Sequence, residues 1–187
     1  MVDETLAIGS IAVIGAGTAG RAFALACARA GYRVVLEDVM PEKLRRAQDE
    51  YAEYSSVVGE LGGSLRYATT VEEAVESADI AIDFVPDELE SKLEIFSLLD
   101  RMAPPRTILC TPTNALSITD LASCTYRPER CVGIRGASLL AGEVELMRSK
   151  FLSAGVEAAV MGLWRRLGLA MRVVADVEPM LVKNHPR

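Results

Sequence analysis

A glycine-rich turn between a short apolar strand and an alanine-rich helix is the feature that most restricts the fold of this chain. Residues 11–20 read IAVIGAGTAG, so an apolar run leads directly into the pattern Gly15-x-Gly17-x-x-Gly20. The next apolar run is followed by Asp38, twenty-three residues after Gly15. Three glycines between a strand and a helix, with an acidic residue about twenty positions later, are typical of a dinucleotide site in a βαβ unit.

Each residue of this turn has a separate expected role. Gly15 permits the tight turn, Gly17 lets the backbone approach a pyrophosphate, and Gly20 lets the helix pack closely on the strand. The helix that begins at Thr18 and Ala19 directs its free N–H groups towards the phosphates. A turn that binds no ligand is the alternative, and the agreement of context and spacing favours the cofactor site.

Composition narrows the class of protein. The 187 residues carry a net charge of -6, with 50% hydrophobic and 25% charged residues. These values are ordinary for one globular domain over residues 1–187, and the negative charge argues against a nucleic-acid partner. No apolar run approaches the roughly 20 residues of a membrane span. The first residues also lack the basic and apolar regions of a secretory signal.

The cysteines predict free thiols rather than a metal site or disulfides. Cys27, Cys110, Cys124 and Cys131 show no CxxC spacing, and the chain has one histidine to assist them. Buried free thiols are the simplest interpretation. We therefore expect no metal and a reducing, cytoplasmic location.

Strand and helix patterns alternate along the chain with short connections. Strands are predicted at 11–14, 33–38, 65–67, 80–85, 107–110, 131–134, 145–148 and 171–174. Helices are predicted at 18–30, from 41, at 70–77, 88–102, 118–123 and 153–167. This alternation predicts an α/β fold in a single domain, with a doubly wound parallel sheet of the Rossmann type covered on both faces.

The order of these motifs resembles the NAD-binding domain of the 3-hydroxyacyl-CoA dehydrogenases, from about Ile11 to Asp176. Beyond the glycine turn, the segments that carry the resemblance are 34–44, 78–100, 108–119 and 128–133. The resemblance implies an NAD-dependent oxidoreductase of the kind used in fatty acid metabolism. It also makes FAD a less favoured occupant of the turn, because the remaining segments follow the NAD family.

The resemblance assigns cofactor contacts beyond the turn. Asp38 matches the carboxylate that binds the adenosine ribose hydroxyls, and a carboxylate there repels a 2′-phosphate, which favours NAD over NADP. Asp87 and Lys92 match polar residues on the nicotinamide side, and Pro86 and Thr113 are expected beside them. For Lys92 the alternative is a solvated charge on a helix face.

The reaction side departs from the family pattern. Arg135 stands where the family has the histidine that abstracts the hydroxyl proton, and an arginine cannot act as a general base. Glu145 is the best match for the glutamate that orients that histidine, and Asn114 matches a family serine. These three residues are the candidate catalytic group. The one histidine of the chain, His185, matches no catalytic position and is expected to be a solvated tail residue.

Two functions remain open from the sequence. Arg135 either forms a bidentate ion pair with Glu145 or holds a carboxylate, phosphate or developing oxyanion. The chain is accordingly either a dehydrogenase acting on a hydroxyacyl or related hydroxy acid, or an inactive NAD(H)-binding subunit or sensor.

The resemblance also bears on partners. The family continues into a helical domain that closes the acyl-CoA cleft, and we expect that domain to be absent here. A second copy or a partner subunit is then expected to cover the cleft over an acyl-thioester or hydroxy acid. An open cleft is the alternative.

Overall fold

The computed structural model describes residues 6–59 and 62–181. The strands are β1 (Ser10–Ile14), β2 (Arg33–Glu37), β3 (Ser64–Ala68), β4 (Ile80–Asp83), β5 (Ile108–Pro112), β6 (Cys131–Arg135), β7 (Val144–Arg148) and β8 (Met171–Ala175). The helices are α1 (Thr18–Arg29), α2 (Pro41–Val58), α3 (Val71–Val75), α4 (Leu89–Met102), α5 (Ile118–Ser123) and α6 (Ala154–Arg166). Each strand and helix expected from the sequence is present, with ends shifted by a few residues.

The strands form one sheet in the order β3-β2-β1-β4-β5-β6-β7-β8. Neighbouring strands run parallel except β6 and β7, which are antiparallel. The parallel sheet expected from the sequence is thus present, with one antiparallel pair that the sequence did not predict. Only the eight residues 136–143 connect the two strands. A parallel return needs a crossover of about a dozen residues or more, usually a helix.

Helices cover both faces of the sheet, which confirms the doubly wound Rossmann-type fold. One apolar cluster joins α1, α2 and α6 to alternate strand residues, with Phe23 and Trp164 among its largest members. A second cluster joins α3, α4 and α5 to the other face, around Phe96 and Leu121. Successive strand residues point to opposite faces, so each strand contributes to both clusters.

Local signals in the sequence explain most element ends. Pro41 occupies the first turn of α2, where its missing N–H costs nothing. The Thr70 hydroxyl accepts from the Glu73 N–H at the start of α3, and Ser117 caps α5 in the same way. The predicted strand at 80–85 is shorter, ending at residue 83.

The cysteines are free thiols, as expected, but only three of them are buried. Cys27, Cys110 and Cys131 lie in the core, and burial raises the pKa of Cys131 to about 12. Cys124 is exposed because it follows the last residue of α5, beyond the face that packs on the sheet. Within residues 6–59 and 62–181, no helix has the length and apolar character needed to span a membrane.

Candidate functional site

The glycine turn after β1 has the geometry that its sequence predicts. Gly15 adopts a φ of 102°, and its N–H donates to the Glu37 carbonyl at 2.8 Å. A Cβ at Gly20 would lie 1.9 Å from the Gly15 carbonyl oxygen, so the helix can approach the strand only without a side chain there. A Cβ at Gly17 would meet nothing within 4 Å, which leaves open space above the turn for a ligand.

The first residues of α1 face that open space. Gly17 is the N-cap of the helix, and Thr18 and Ala19 are exposed in its first turn. Free N–H groups at a helix N-terminus, combined with the positive end of the helix dipole, favour a phosphate. The turn therefore fits a pyrophosphate.

Asp38 is held rigidly at the end of β2. Its Oδ2 accepts from the Ala16 N–H at 2.9 Å and its Oδ1 from the Met40 N–H at 2.9 Å. The Lys43 ammonium lies 3.2 Å from Oδ2. Burial raises the pKa of Asp38, but these hydrogen bonds and the lysine together hold it below its ordinary value. Oδ1 retains acceptor capacity, so a fixed carboxylate is available to a ribose hydroxyl.

A cleft of about 670 Å³ opens beside Asp38, and we call it the α4 cleft. Its lining residues are Ile14, Gly15, Gly17, Glu37, Asp38, Val39, Lys43, Val71, Phe84, Val85, Pro86, Ser91, Glu94, Ile95 and Leu98. Most of these side chains are apolar, and the apolar ones come from β1, the loop after β2, α3, the loop after β4, and α4. The predicted cofactor residue Pro86 lies in this wall.

Sequence reasoning missed Glu37, the polar residue in the floor of the α4 cleft. Glu37 is 3% exposed, and its Oε1 has no hydrogen-bond partner among the described residues. Burial, together with the neighbouring Asp38 charge, raises the pKa of Glu37 to about 7. The available signal was a second acidic residue directly before Asp38 at the end of an apolar strand.

A smaller cleft of about 290 Å³ lies on the other side of the glycine turn, and we call it the Asn114 cleft. It is lined by Ala19, Ala22, Phe23, Phe84, Pro112, Thr113, Asn114, Ile134, Gly136, Ala137, Ser138, Leu139 and Leu140. Phe84 lines both clefts. An elongated ligand with its centre at the turn can therefore extend into both.

Two of the predicted residues, Asp87 and Thr113, shape the loops around the Asn114 cleft. The Asp87 carboxylate accepts from the Asn114 N–H at 2.9 Å and so ties the loop after β4 to the loop after β5. The Thr113 hydroxyl accepts from the Leu116 N–H at 3.0 Å and closes a local turn. Asp87 and Thr113 thus hold backbone, whereas the Asn114 side chain is exposed.

Lys92 lies beneath the site instead of on its surface. Its side chain is 1% exposed, and its ammonium is 2.7 Å from Oδ1 of Asp83. The alternative of a solvated charge is therefore wrong. Burial raises the pKa of Asp83, and Lys92 opposes that rise. The pair joins the end of β4 to the first turns of α4, and so fixes the loop that carries Phe84 and Pro86.

Arg135 and Glu145 meet across the antiparallel pair β6–β7. The Arg135 Nε lies 2.6 Å from Glu145 Oε2, and the residues are direct register partners. The contact is a single hydrogen bond instead of the bidentate pair expected, because Arg172 from β8 binds the other oxygen of Glu145. Arg172 also pairs with Glu143 at 3.0 Å.

This cluster limits the chemistry of Glu145. The hydrogen bond from Arg135, with the charge of Arg172, holds the pKa of Glu145 below its ordinary value. A carboxylate of low pKa is a weak base near neutral pH. The Arg135 side chain remains 31% exposed, and its terminal amino groups make no hydrogen bond within the part of the chain that the structure describes. His185 lies outside the described residues.

Comparison with known proteins finds one matching family and relatives among the dehydrogenases. Residues 10–168 match the family described as 3-hydroxyacyl-CoA dehydrogenase, NAD binding domain. A probable 3-hydroxybutyryl-CoA dehydrogenase of Bacillus subtilis (strain 168) is 34% identical over 95% of this chain and 66% of its own length. A 5-formyl-3-hydroxy-2-methylpyridine 4-carboxylate 5-dehydrogenase of Mesorhizobium japonicum is 29% identical, over 95% of this chain and 60% of its own length.

A solved structure shares the fold. The crystal structure of a 5-formyl-3-hydroxy-2-methylpyridine 4-carboxylic acid 5-dehydrogenase, described as an NAD+-dependent dismutase, superposes with a TM-score of 0.80. Its sequence is 28% identical, and the match covers 95% of this chain and 60% of that one. The chain thus spans about three fifths to two thirds of the length of these relatives.

Proposed function

This chain belongs to the 3-hydroxyacyl-CoA dehydrogenase family, as its NAD-binding domain, and from that premise we propose that it carries out hydride transfer between NAD(H) and a 3-hydroxyacyl, 3-ketoacyl or related hydroxy acid substrate. One observation carries the proposal: two clefts meet at Phe84 on either side of the glycine turn. Asp38 lies at one end and Asn114 at the other. This arrangement accommodates an extended dinucleotide with its reactive end beside the loops after β5 and β6.

NAD is the cofactor of this domain. When bound, it supplies the hydride acceptor or donor. We propose that Gly15, Gly17, Gly20 and the first N–H groups of α1, at Thr18 and Ala19, hold the pyrophosphate. Asp38 accepts hydrogen bonds from the adenosine ribose and excludes a 2′-phosphate.

We propose further that Pro86, Asp87 and Thr113 shape the nicotinamide end. Pro86 lies in the wall of the α4 cleft, and the other two hold backbone at the Asn114 cleft. Lys92 acts from below, by fixing the loop after β4 through Asp83.

We propose that the reaction is reduction of a carbonyl group in a substrate that extends from the Asn114 cleft to Arg135. Ile134 and Gly136, the chain neighbours of Arg135, line that cleft, whereas Arg135 and Glu145 do not. Hydride addition to a ketone makes an alkoxide, and the free terminal N–H groups of Arg135 can stabilise that negative charge. Glu145 acts as a positioning residue, because it holds Arg135 through Nε and cannot readily take a proton itself. Asn114 offers an exposed amide to the substrate, and the proton that completes the alcohol comes from solvent.

The test is NADH consumption with acetoacetyl-CoA, measured for the wild type and for Arg135→Ala. Loss of one oxyanion donor costs on the order of 100-fold or more in kcat. Arg148→Ala is the matched control, since Arg148 is an exposed arginine that pairs with Glu157 away from both clefts. We expect the control to stay within about twofold of the wild type. Full activity in Arg135→Ala would remove Arg135 from the mechanism.

The alternative function is an inactive NAD(H)-binding subunit or sensor. The specific observation that favours it is the Arg135–Glu145–Arg172 cluster, which provides no base of suitable pKa among the described residues. This alternative predicts saturable NADH binding with no turnover of any acyl thioester.

We propose that residues 1–187 form one NAD-binding unit, with a second copy or a partner subunit covering the Asn114 cleft. The support is that this cleft opens at the carboxyl edge of the sheet, where an uncovered reaction would be exposed to water. Light scattering with and without NADH tests the association. The four free cysteines support our proposal that this protein functions in a reducing compartment such as the cytoplasm.

A further inference from the structure

The floor of the α4 cleft holds a polar group with no assigned role. Glu37 ends β2 and is 3% exposed, and its Oε1 accepts no hydrogen bond within the described residues. A buried polar atom without a partner costs free energy, so such groups are rare in native proteins. A ligand that supplies the missing hydrogen bond would relieve that cost.

The position of the cleft indicates which part of the cofactor lies over Glu37. Asp38, the next residue, is the expected ribose contact, and the glycine turn lies on the pyrophosphate side. The remaining space is bounded by the apolar side chains of Val71, Ile95 and Leu98. Apolar walls with a few polar groups, among them the buried Glu37 and the α4 residues Ser91 and Glu94, suit a flat heteroaromatic ring with polar edges.

We propose that Glu37, in its protonated form, is the residue that recognises the adenine ring of the cofactor. A carboxylic acid offers one O–H donor and one carbonyl acceptor, the same pair that a glutamine side chain offers. Adenine presents an amino donor next to a ring-nitrogen acceptor, and glutamine binds that edge through two hydrogen bonds. This inference rests on NAD occupying the glycine turn, and it adds the group that reads the base.

Burial and the neighbouring carboxylates favour the protonated form of Glu37. Asp38 and Lys43 lie beside Glu37, Glu94 borders the cleft from α4, and α3 carries the exposed Glu72 and Glu73 next to Val71. The pKa of Glu37 is raised to about 7 by burial first and by Asp38 second, with Lys43 opposing. An adenine ring over the carboxyl group removes more water and raises that pKa further.

The sign of the pH effect follows from this shift. Binding that raises a pKa takes up a proton, so affinity is full below the pKa of the free protein and falls as the pH rises above it. We therefore expect adenine-containing ligands to bind more weakly at about pH 8 than at about pH 6, by roughly three- to tenfold.

The experiment is calorimetric titration of NADH and of ADP-ribose, which keeps the adenosine half, across this pH range. We expect the same pH dependence for both ligands in the wild type. Glu37→Gln, which mimics the protonated group and cannot titrate, should bind at all pH values like the wild type at low pH. Glu53→Gln makes the same chemical change at an exposed position of α2 outside the cleft and should keep the wild-type slope.

Three results would overturn the assignment: a flat ADP-ribose profile in the wild type, an unchanged slope in Glu37→Gln, or a lost slope in Glu53→Gln. If Glu37→Gln does not fold, His185→Gln decides: a slope that survives loss of the histidine supports Glu37, and a lost slope overturns the assignment. His185 is retained in Glu37→Gln, so a flattened profile there excludes it as the source of the slope. Absence of NADH binding at every pH would instead contradict the NAD site itself.

Discussion

The two halves of the sheet hold their functional groups in different ways. In the half formed by β1 to β4, the proposed cofactor contacts are mainly backbone: a glycine with a φ of 102°, a helix N-terminus, and one carboxylate fixed by two N–H groups. In the half formed by β5 to β8, the proposed chemistry depends on side chains, and Arg135, Glu145 and Arg172 meet where β6 ends and β7 and β8 begin. We therefore expect side-chain substitutions to affect the proposed reaction more than cofactor binding.

The largest expected effect is a loss of NADH affinity caused by a substitution in the glycine turn. Gly20→Ala places a Cβ 1.9 Å from the Gly15 carbonyl oxygen, so backbone must move and the turn must open. We expect NADH affinity to fall by at least about 100-fold, because displacement of the turn removes several charge-assisted hydrogen bonds together. Fluorescence titration of NADH measures it. Wild-type affinity in this variant would show that the turn is not the binding site.

The next largest expected effect is on stability, and it tests the buried ion pair between Lys92 and Asp83. Lys92→Met leaves the Asp83 carboxylate buried without its partner, which costs about 3–5 kcal/mol of the free energy of unfolding. Urea unfolding of the variant measures this loss. Adding Asp83→Asn should recover part of it, since the second change removes the unpaired charge. A double variant no more stable than the single one would contradict the pairing.

A smaller effect is expected at the adenosine ribose. In Asp38→Asn the amide offers one acceptor oxygen where the carboxylate used two, for Ala16 and for Met40. Hydrogen bonds to charged groups contribute about 1.5–3 kcal/mol, so NADH should bind roughly ten- to 100-fold more weakly and the preference over NADPH should narrow. Asp49→Asn, at an exposed site on α2, serves as the control. An unchanged NADH/NADPH ratio would contradict the role of Asp38.

The stability that Asp38 contributes should increase with pH, whereas the ligand affinity that Glu37 contributes should decrease with pH. The folded pKa of Asp38 lies below its ordinary value, so its stabilising contribution is present above the unfolded pKa of about 3.9. It is lost as the pH falls through the folded value. Acid unfolding of Asp38→Asn should therefore begin from a lower plateau of stability and show a shallower loss below about pH 4.

The smallest effect is a gain at a glycine that has no close neighbour. A Cβ at Gly162, inside α6, would meet nothing within 4 Å. Gly162→Ala should raise the free energy of unfolding by about 0.5–1 kcal/mol, because alanine loses less conformational entropy in a helix. NADH affinity should stay the same. A loss of affinity comparable to that of Gly20→Ala would mean that glycine substitutions act non-specifically.

The sequence predicts the cofactor half well because its signals are local. The glycine turn, Pro41 at the start of α2 and Thr70 before α3 each act within a few residues. The reaction half depends on contacts between distant residues. Arg172 reaches Glu145 only because β7 and β8 pair in one register, and nothing near residue 172 indicates that contact.

Burial explains two further differences. Lys92 has the helical spacing of a surface charge, and only the partner Asp83 on β4 makes its burial tolerable. Glu37 resembles an ordinary strand end until α3 and α4 close over it. Both depend on which helix covers which face of the sheet, and a pattern of single residues does not contain that information.

Paired titration and turnover on one sample test the central claim most directly. NADH fluorescence titration, run beside NADH consumption with acetoacetyl-CoA, should show saturable binding together with turnover in the wild type. Arg135→Ala should keep the binding and lose the turnover. Binding without turnover in the wild type would favour the subunit or sensor function, and absence of NADH binding would contradict the cofactor site on which the account depends.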